Sequence, residues 1–257
     1  MTAPPIVVDR PSARIVRIAL NRPEKRNPLE TDIREAVYAA LGEALEDASV
    51  RAIILTGTGG TFCAGGDISA MGKSDERSGA DRMARNHLLV RRLMRAEKPV
   101  VAAVEGYAFG AGAGLALLCD AIVAGEGASI GFSFFRMGLV PDYGIVHTLT
   151  QRIGFGRARL ILLKASTLKA EAALGAGIFD SVVPDAEVQA SALGLAEELA
   201  AQPANAVALT KRMLLAEPQG FDAALDLERT SQVMSFLTAD HKEGVAAFRE
   251  KRPPKFS

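Results

Sequence analysis

The chain has 257 residues, 49% of them apolar, which is enough to bury a full core in one large domain, or one domain plus a small helical appendage, without disulfide or metal support. Thirty basic and 30 acidic side chains give a formal net charge of zero. No overall field therefore favours nucleic acid or an anionic membrane surface, and a nucleic-acid partner is not expected.

The opening MTAPPIVVDR has neither the basic start nor the apolar stretch of a signal peptide, so a cytoplasmic location is expected. Over residues 13–20, Val16, Ile18 and Leu20 alternate with Arg17 and Ala19, predicting a strand with one buried face that ends at Asn21-Arg22-Pro23. Ile33, Val37, Leu41 and Leu45 then recur at helical spacing, with Thr31 or Asp32 as the expected N-cap. Residues 51–56 (RAIILT) read as a short buried strand, followed by a glycine-rich loop over 57–66. Residues 68–82 are polar and turn-rich, and 70–82 are expected to be mobile. Helical periodicity returns from His87 to Arg95, before Pro99 opens a buried strand over 100–104.

Beyond the glycines of 106–114, residues 115–118 read as helix and 121–124 as strand. Glu105, Asp120 and several glycines interrupt this most apolar stretch, so it predicts a buried strand, turn and helix and no membrane span. Cys63 and Cys119 both lie in apolar surroundings, which fits buried thiols in a reducing compartment. From Gly156 onward the pattern is mainly helical, with breaks at Pro184, Pro203 and Pro218. A boundary near residue 195 is expected between a core (1–195) and a C-terminal helical region (196–257), whose basic end reads as a solvated tail.

Chemistry enters with the glycines. Backbone N–H groups bind an oxyanion only where the chain turns away from its ladder partners, and glycine permits such turns. Cys63-Ala64-Gly65-Gly66-Asp67 follows a strand and loop, while Gly110-Ala111-Gly112-Ala113-Gly114 stands at the expected start of a helix. Tight turns and close packing alone account for many such clusters. A dinucleotide fingerprint fits poorly, since the spacing departs from G-x-G-x-x-G and no acidic residue follows at the end of a second strand.

Taken with Asn21-Arg22-Pro23, Asn27-Pro28-Leu29, Thr56-Gly57, Lys98-Pro99-Val100, Gly106-Tyr107, Cys119-Asp120 and Gly138-Leu139-Val140-Pro141-Asp142, these segments resemble the crotonase, or enoyl-CoA hydratase/isomerase, superfamily along nearly the whole chain. The resemblance implies an α/β spiral of ββα units with a C-terminal helical trimerisation region, trimers or hexamers, and an acyl-CoA thioester substrate. Coenzyme A then belongs to the substrate, and neither a separate cofactor nor a metal is expected. The resemblance makes the N–H groups of Gly66 and Ala111 the oxyanion donors. It places the CoA moiety near Glu24, Lys25, Arg26, Ala64, Asp67 and Ile68, and the acyl group against Met71, Phe132, Phe134 and Phe135.

Hydratases of the superfamily use two glutamates, and the corresponding positions here are Gly114 and Phe134, neither of which transfers a proton. Asp142 stands where the isomerases carry their carboxylate. The pattern is closest to the enoyl-CoA isomerases and the ring-epoxide isomerases of phenylacetate breakdown, the latter also through Leu225-Asp226-Leu227-Glu228-Arg229 and Glu243-Gly244-Val245. The expected chemistry is isomerisation of a 3-enoyl-CoA or ring-epoxide acyl-CoA, with Asp142 moving a proton while Gly66 and Ala111 hold the enolate oxygen. A phenylalanine wall around Asp142 predicts a raised pKa. Capping of the following helix is the structural alternative for Asp142.

His87 falls where aryl-CoA dehalogenases of the superfamily carry a histidine. Those enzymes also have a tryptophan at the position of Phe134, and this chain has no tryptophan. His87 is therefore expected behind the reacting groups. The competing readings are an atypical single-carboxylate 2-enoyl-CoA hydratase, a dehalogenase-like hydrolase and a non-catalytic acyl-CoA binder.

Overall fold

The computed structural model describes residues 3–67, 76–216 and 220–256. Strands β1 (Ile6–Ser12) and β2 (Ile15–Leu20) form an antiparallel hairpin at one edge of the main sheet. Next to β2, and parallel to it, run β3 (Ala52–Gly57), β4 (Val100–Val104), β6 (Ala121–Gly125) and the short β9 (Ser181–Val183). The sheet order is β1-β2-β3-β4-β6-β9. A second, three-stranded sheet joins β5 (Tyr107–Phe109), β7 (Ser129–Gly131) and β8 (Thr167–Lys169). The two sheets turn the same chain over repeatedly, since β4 leads into β5 and β6 into β7 within a few residues.

The main sheet is buried on both faces, which explains why β3 and β4 read as continuous apolar runs. Val16, Ile18, Leu20, Ile53, Leu55, Ala102 and Val104 face one core, with helix α1 (Thr31–Glu46), helix α2 (Glu76–Met94) and helix α3 (Ala111–Leu117). Ile15, Ile54, Val101, Ala103 and Val123 face the other. There α7 (Val188–Ala200) offers Val188, Ala192, Ala196 and Ala200, a small-residue stripe at four-residue spacing that lets the helix lie close to the sheet. Around the smaller sheet lie α4 (Ile145–Ile153), α5 (Phe155–Leu163) and α6 (Ala170–Gly175). The chain ends in α8 (Ala204–Leu215), α9 (Phe221–Phe236) and α10 (Ala239–Glu250). This is the mixed α/β architecture with C-terminal helices that the resemblance implies. No helix among the described residues is long and apolar enough to cross a membrane.

Two local expectations need correction. The N-cap of α1 is Glu30, and neither Thr31 nor Asp32 serves. Leu29 donates its N–H to the Gly65 carbonyl at 2.7 Å, Glu30 is itself extended, and the first helical bond runs from Arg34 to Glu30. Of the stretch expected to be mobile, 76–82 form the first turns of α2, whose polar outer face hides the helical pattern from hydropathy; 70–75 lie outside the described residues.

Candidate active site

The loop before α1 is built around Asn27, which is fully buried in a left-handed conformation. Its Nδ2 donates to the carbonyls of Thr58 (2.9 Å) and Thr61 (2.6 Å), while its Oδ1 accepts from the Arg22 N–H at 2.7 Å. One side chain thus satisfies three backbone groups that no ladder reaches. It presents Lys25 and Arg26 to solvent, with Lys25 paired to Glu30 at 2.8 Å and Arg26 over the Tyr107 ring at 5.2 Å. The Arg26 carbonyl accepts from the Ala64 N–H, so the basic loop is tied to the first glycine segment. Asp67 is close enough to Lys25 to raise its pKa, after the larger effect of Glu30.

The glycine segments touch directly. Cys63 donates to the Tyr107 carbonyl and accepts from the Phe109 N–H, laying the first segment along β5. Gly65 has φ +113 and Gly110 φ +52, backbone angles that L side chains rarely adopt. A Cβ on Gly65 would meet the Phe109 carbonyl at 2.9 Å, and one on Gly112 the Cys63 carbonyl at 2.4 Å. Neither the Gly66 nor the Ala111 N–H has a backbone acceptor among the described residues. Gly65 spends its carbonyl on Leu29, and Ala111 opens α3, where the first N–H groups have no partner within the helix. The two donors assigned by the resemblance are therefore both unspent, on adjoining segments. Burial pushes the Cys63 thiol up to about 12, so it is inert packing behind them.

Asp142 enters from the segment that covers α3. Phe134 reaches the start of that helix, its Cζ 3.9 Å from where a Cβ on Gly110 would sit. Phe132 is buried too, whereas Phe135, in the turn at Ser133–Met137, is 43% exposed. Tyr143, 2% exposed and at φ +51, packs on the middle of α3, and a Cβ on Gly114 would lie 2.4 Å from the Tyr143 Cβ. The position of the first hydratase glutamate is thus filled by tyrosine.

Asp142 does not cap α4, which begins after Gly144 and has no side-chain cap. Its Oδ1 is buried without a hydrogen-bond partner. Burial raises its pKa above the usual carboxylate range, opposed by a bond from its own backbone N–H and then by Arg82, His87 and Arg34. His87 thus lies within electrostatic reach of Asp142. Arg34, Arg82, Asn86 and Tyr143 were not marked by any motif. Only the neighbourhood of Tyr143 to Asp142 hinted at one of them. Ile68 and Met71, expected at the CoA and acyl sites, lie outside the described residues.

A cavity of about 630 Å³ between Leu45, Lys98 and the starts of α8 and α10 contains none of these groups. Its Lys98 ammonium is already spent on the carbonyls of Ala44 and Asp47. The unspent donors and the buried carboxylate, not cavity size, mark the candidate site.

Residues 10–257 match the family model for enoyl-CoA hydratase/isomerase. Among curated relatives, the chain is 36% identical over 255 residues to the 1,2-epoxyphenylacetyl-CoA isomerase of Escherichia coli, covering 95% of each chain. It is 33% identical over 248 residues to the short-chain-enoyl-CoA hydratase of Clostridium acetobutylicum, covering 96% of this chain and 95% of the relative. The crystal structure of an enoyl-CoA hydratase from Bacillus anthracis superposes with a TM-score of 0.92 at 30% identity, covering 98% of both chains.

Proposed function

This chain belongs to the enoyl-CoA hydratase/isomerase family and is an acyl-CoA enzyme of it, and we propose that it is an isomerase acting on a 3-enoyl-CoA or ring-epoxide acyl-CoA. The observation that carries this reading is Asp142. It is a buried carboxylate of raised pKa with an unbonded oxygen, and the two family positions for hydratase glutamates hold Gly114 and Phe134. Two-carboxylate water activation has no residues here, and Tyr143 fills the space one of them needs. A single base suffices for isomerisation, because the proton removed from one carbon returns to another.

In this mechanism the thioester carbonyl accepts from the Gly66 and Ala111 N–H groups, which bind the oxyanion more tightly than the neutral carbonyl. For a 3-enoyl thioester, Asp142 takes a proton from C2 as the electrons move toward the carbonyl oxygen, giving a dienolate. The protonated carboxyl then returns the proton to C4 as the dienolate collapses to the 2-enoyl product. The raised pKa suits both halves, since the base must also be a competent acid near neutral pH. Lys25 and Arg26 hold CoA phosphates, with Ala64 and Asp67 beside the thioester arm; Phe132 and Phe134 border the acyl group. No cofactor beyond the substrate's own CoA is used. Exposed Phe221, Leu225, Val233, Met234 and Leu237 on and after α9 support a trimer or hexamer through the C-terminal helices.

The deciding experiment supplies 3-enoyl-CoA, 2-enoyl-CoA and a ring-epoxide arylacetyl-CoA to wild type and to Asp142→Asn. Isomer formed from the first or third by wild type alone supports the reading. Robust 3-hydroxyacyl-CoA formation from the second sinks it in favour of an atypical hydratase. Binding without turnover by either protein leaves an acyl-CoA binder.

A further inference from the structure

Among the described residues, three buried side-chain atoms have no hydrogen-bond partner: Asp142 Oδ1, the Tyr143 hydroxyl and Asn86 Oδ1. Buried polar groups are nearly always bonded, because an unbonded one loses its hydration without return. Asp142 is accounted for by its role as base; the other two are not. Tyr143 is 2% and Asn86 5% exposed. Among the described residues, the Asn86 Nδ2 finds only the weakly accepting Met83 sulfur at 3.9 Å. The Arg34 guanidinium acts on the Tyr143 phenol electrostatically and, more weakly, as a hydrogen-bond donor, but its Nη atoms are directed to the Leu29 carbonyl and the Thr31 hydroxyl and leave the phenol without a bond of good geometry.

The two residues border the same loop. Asn86 precedes Val90 by one turn of α2 and so shares its face, and the Val90 Cγ1 lies 3.7 Å from where a Cβ on Gly144 would sit. Asn86 also adjoins His87, which acts on Asp142, and the Tyr143 phenol feels both Asp142 and Cys63. All three atoms are buried.

We infer that Asn86 and Tyr143 form a polar recess beside Asp142 that binds an oxygen carried by the acyl group itself, separate from the thioester carbonyl. The preferred substrates are then acyl thioesters bearing a hydroxyl, ether or epoxide oxygen. Tyr143 donates to that oxygen, and the Asn86 amide donates to it or accepts from its hydroxyl. A plain hydrocarbon acyl group would leave both polar groups unbonded in the complex, where phenylalanine and leucine would serve better. The inference rests on the acyl-thioester reading of the site and narrows its substrate class.

Binding tests it without requiring turnover. Cyclohexylacetyl-CoA and its tetrahydropyranyl analogue differ by one ring oxygen and are both unreactive in isomerisation. Wild type is expected to bind the ether about tenfold more tightly by calorimetry, and Tyr143→Phe and Asn86→Leu are each expected to bring the ratio of dissociation constants toward one. Wild-type affinities within a factor of about two of each other, or a ratio unmoved by both substitutions, overturn the inference. The wild-type comparison stands whether or not a variant folds. Failure of both thioesters to bind overturns the acyl-thioester reading with it, whereas equal binding overturns only the recess.

Discussion

Asp142→Asn separates chemistry from stability, because one carboxylate governs both in opposite directions. The substitution keeps shape and removes the base. With glycine at 114 and phenylalanine at 134 there is no second carboxylate to take over, so kcat on the productive thioester is expected to fall by roughly 10²- to 10⁴-fold, a barrier increase of about 3 to 5.5 kcal/mol. Stability moves the other way. Burial raises the folded-state pKa of Asp142, so the protonated form is favoured by folding. That contribution is fully present below the unfolded-state value and is lost as pH rises through the raised one. At neutral pH the ionised, buried carboxylate with one unbonded oxygen is a cost, and the amide removes it. The variant is expected to match or exceed wild type by up to about 1 kcal/mol, or up to about 3 °C in Tm, with the gap closing below the ordinary carboxylate range. Steady-state kinetics and melting scans across pH read both effects. A variant that keeps more than about a tenth of wild-type kcat refutes the base assignment. One that melts well below wild type at neutral pH refutes the uncompensated burial.

The same carboxylate sets the pH profile: kcat/KM is expected to fall as pH drops through the raised pKa of Asp142. Arg82→Gln removes a cation that lowers this pKa and should move the acid limb to higher pH; an unmoved limb would assign it to another group. Ala111→Pro deletes one oxyanion N–H at the first position of α3, where proline is tolerated, and is expected to cost about 10²- to 10³-fold in kcat while CD spectra stay unchanged. Gly114→Ala forces a Cβ within 2.4 Å of the Tyr143 Cβ and should destabilise by about 1 to 3 kcal/mol in denaturant titrations. Gly114→Glu meets the same obstruction and is not expected to gain hydratase activity. Asn27→Ala strands three backbone groups and abandons a left-handed asparagine, with an expected loss of about 2 to 3 kcal/mol by the same measurement.

Much of the frame was legible in order along the chain. Val16, Ile18 and Leu20 announced β2, the apolar runs at 52–57 and 100–104 announced β3 and β4, and Ile33, Val37 and Leu41 announced the buried face of α1. Each depends on its own periodicity, which burial against a neighbour imposes whatever that neighbour is. The glycine segments and the carboxylate were legible for a related reason: backbone turns and proton transfer demand particular residue types. The short strands β5, β7 and β8 carry only three residues each, too few for a period, and α2 begins under a polar surface.

The resemblance carried by these segments therefore assigned two backbone donors and one carboxylate, with Gly114 and Phe134 at the two glutamate positions. Only the tertiary structure decided that Asp142 leaves α4 uncapped, that Tyr143 adopts a left-handed conformation against Gly114, and that Asn86 and Tyr143 stay unbonded nearby. Those outcomes depend on desolvation and contact between segments distant in sequence. No local pattern records them, because the burial that raises the Asp142 pKa exists only once α1, α2 and α3 have closed around it.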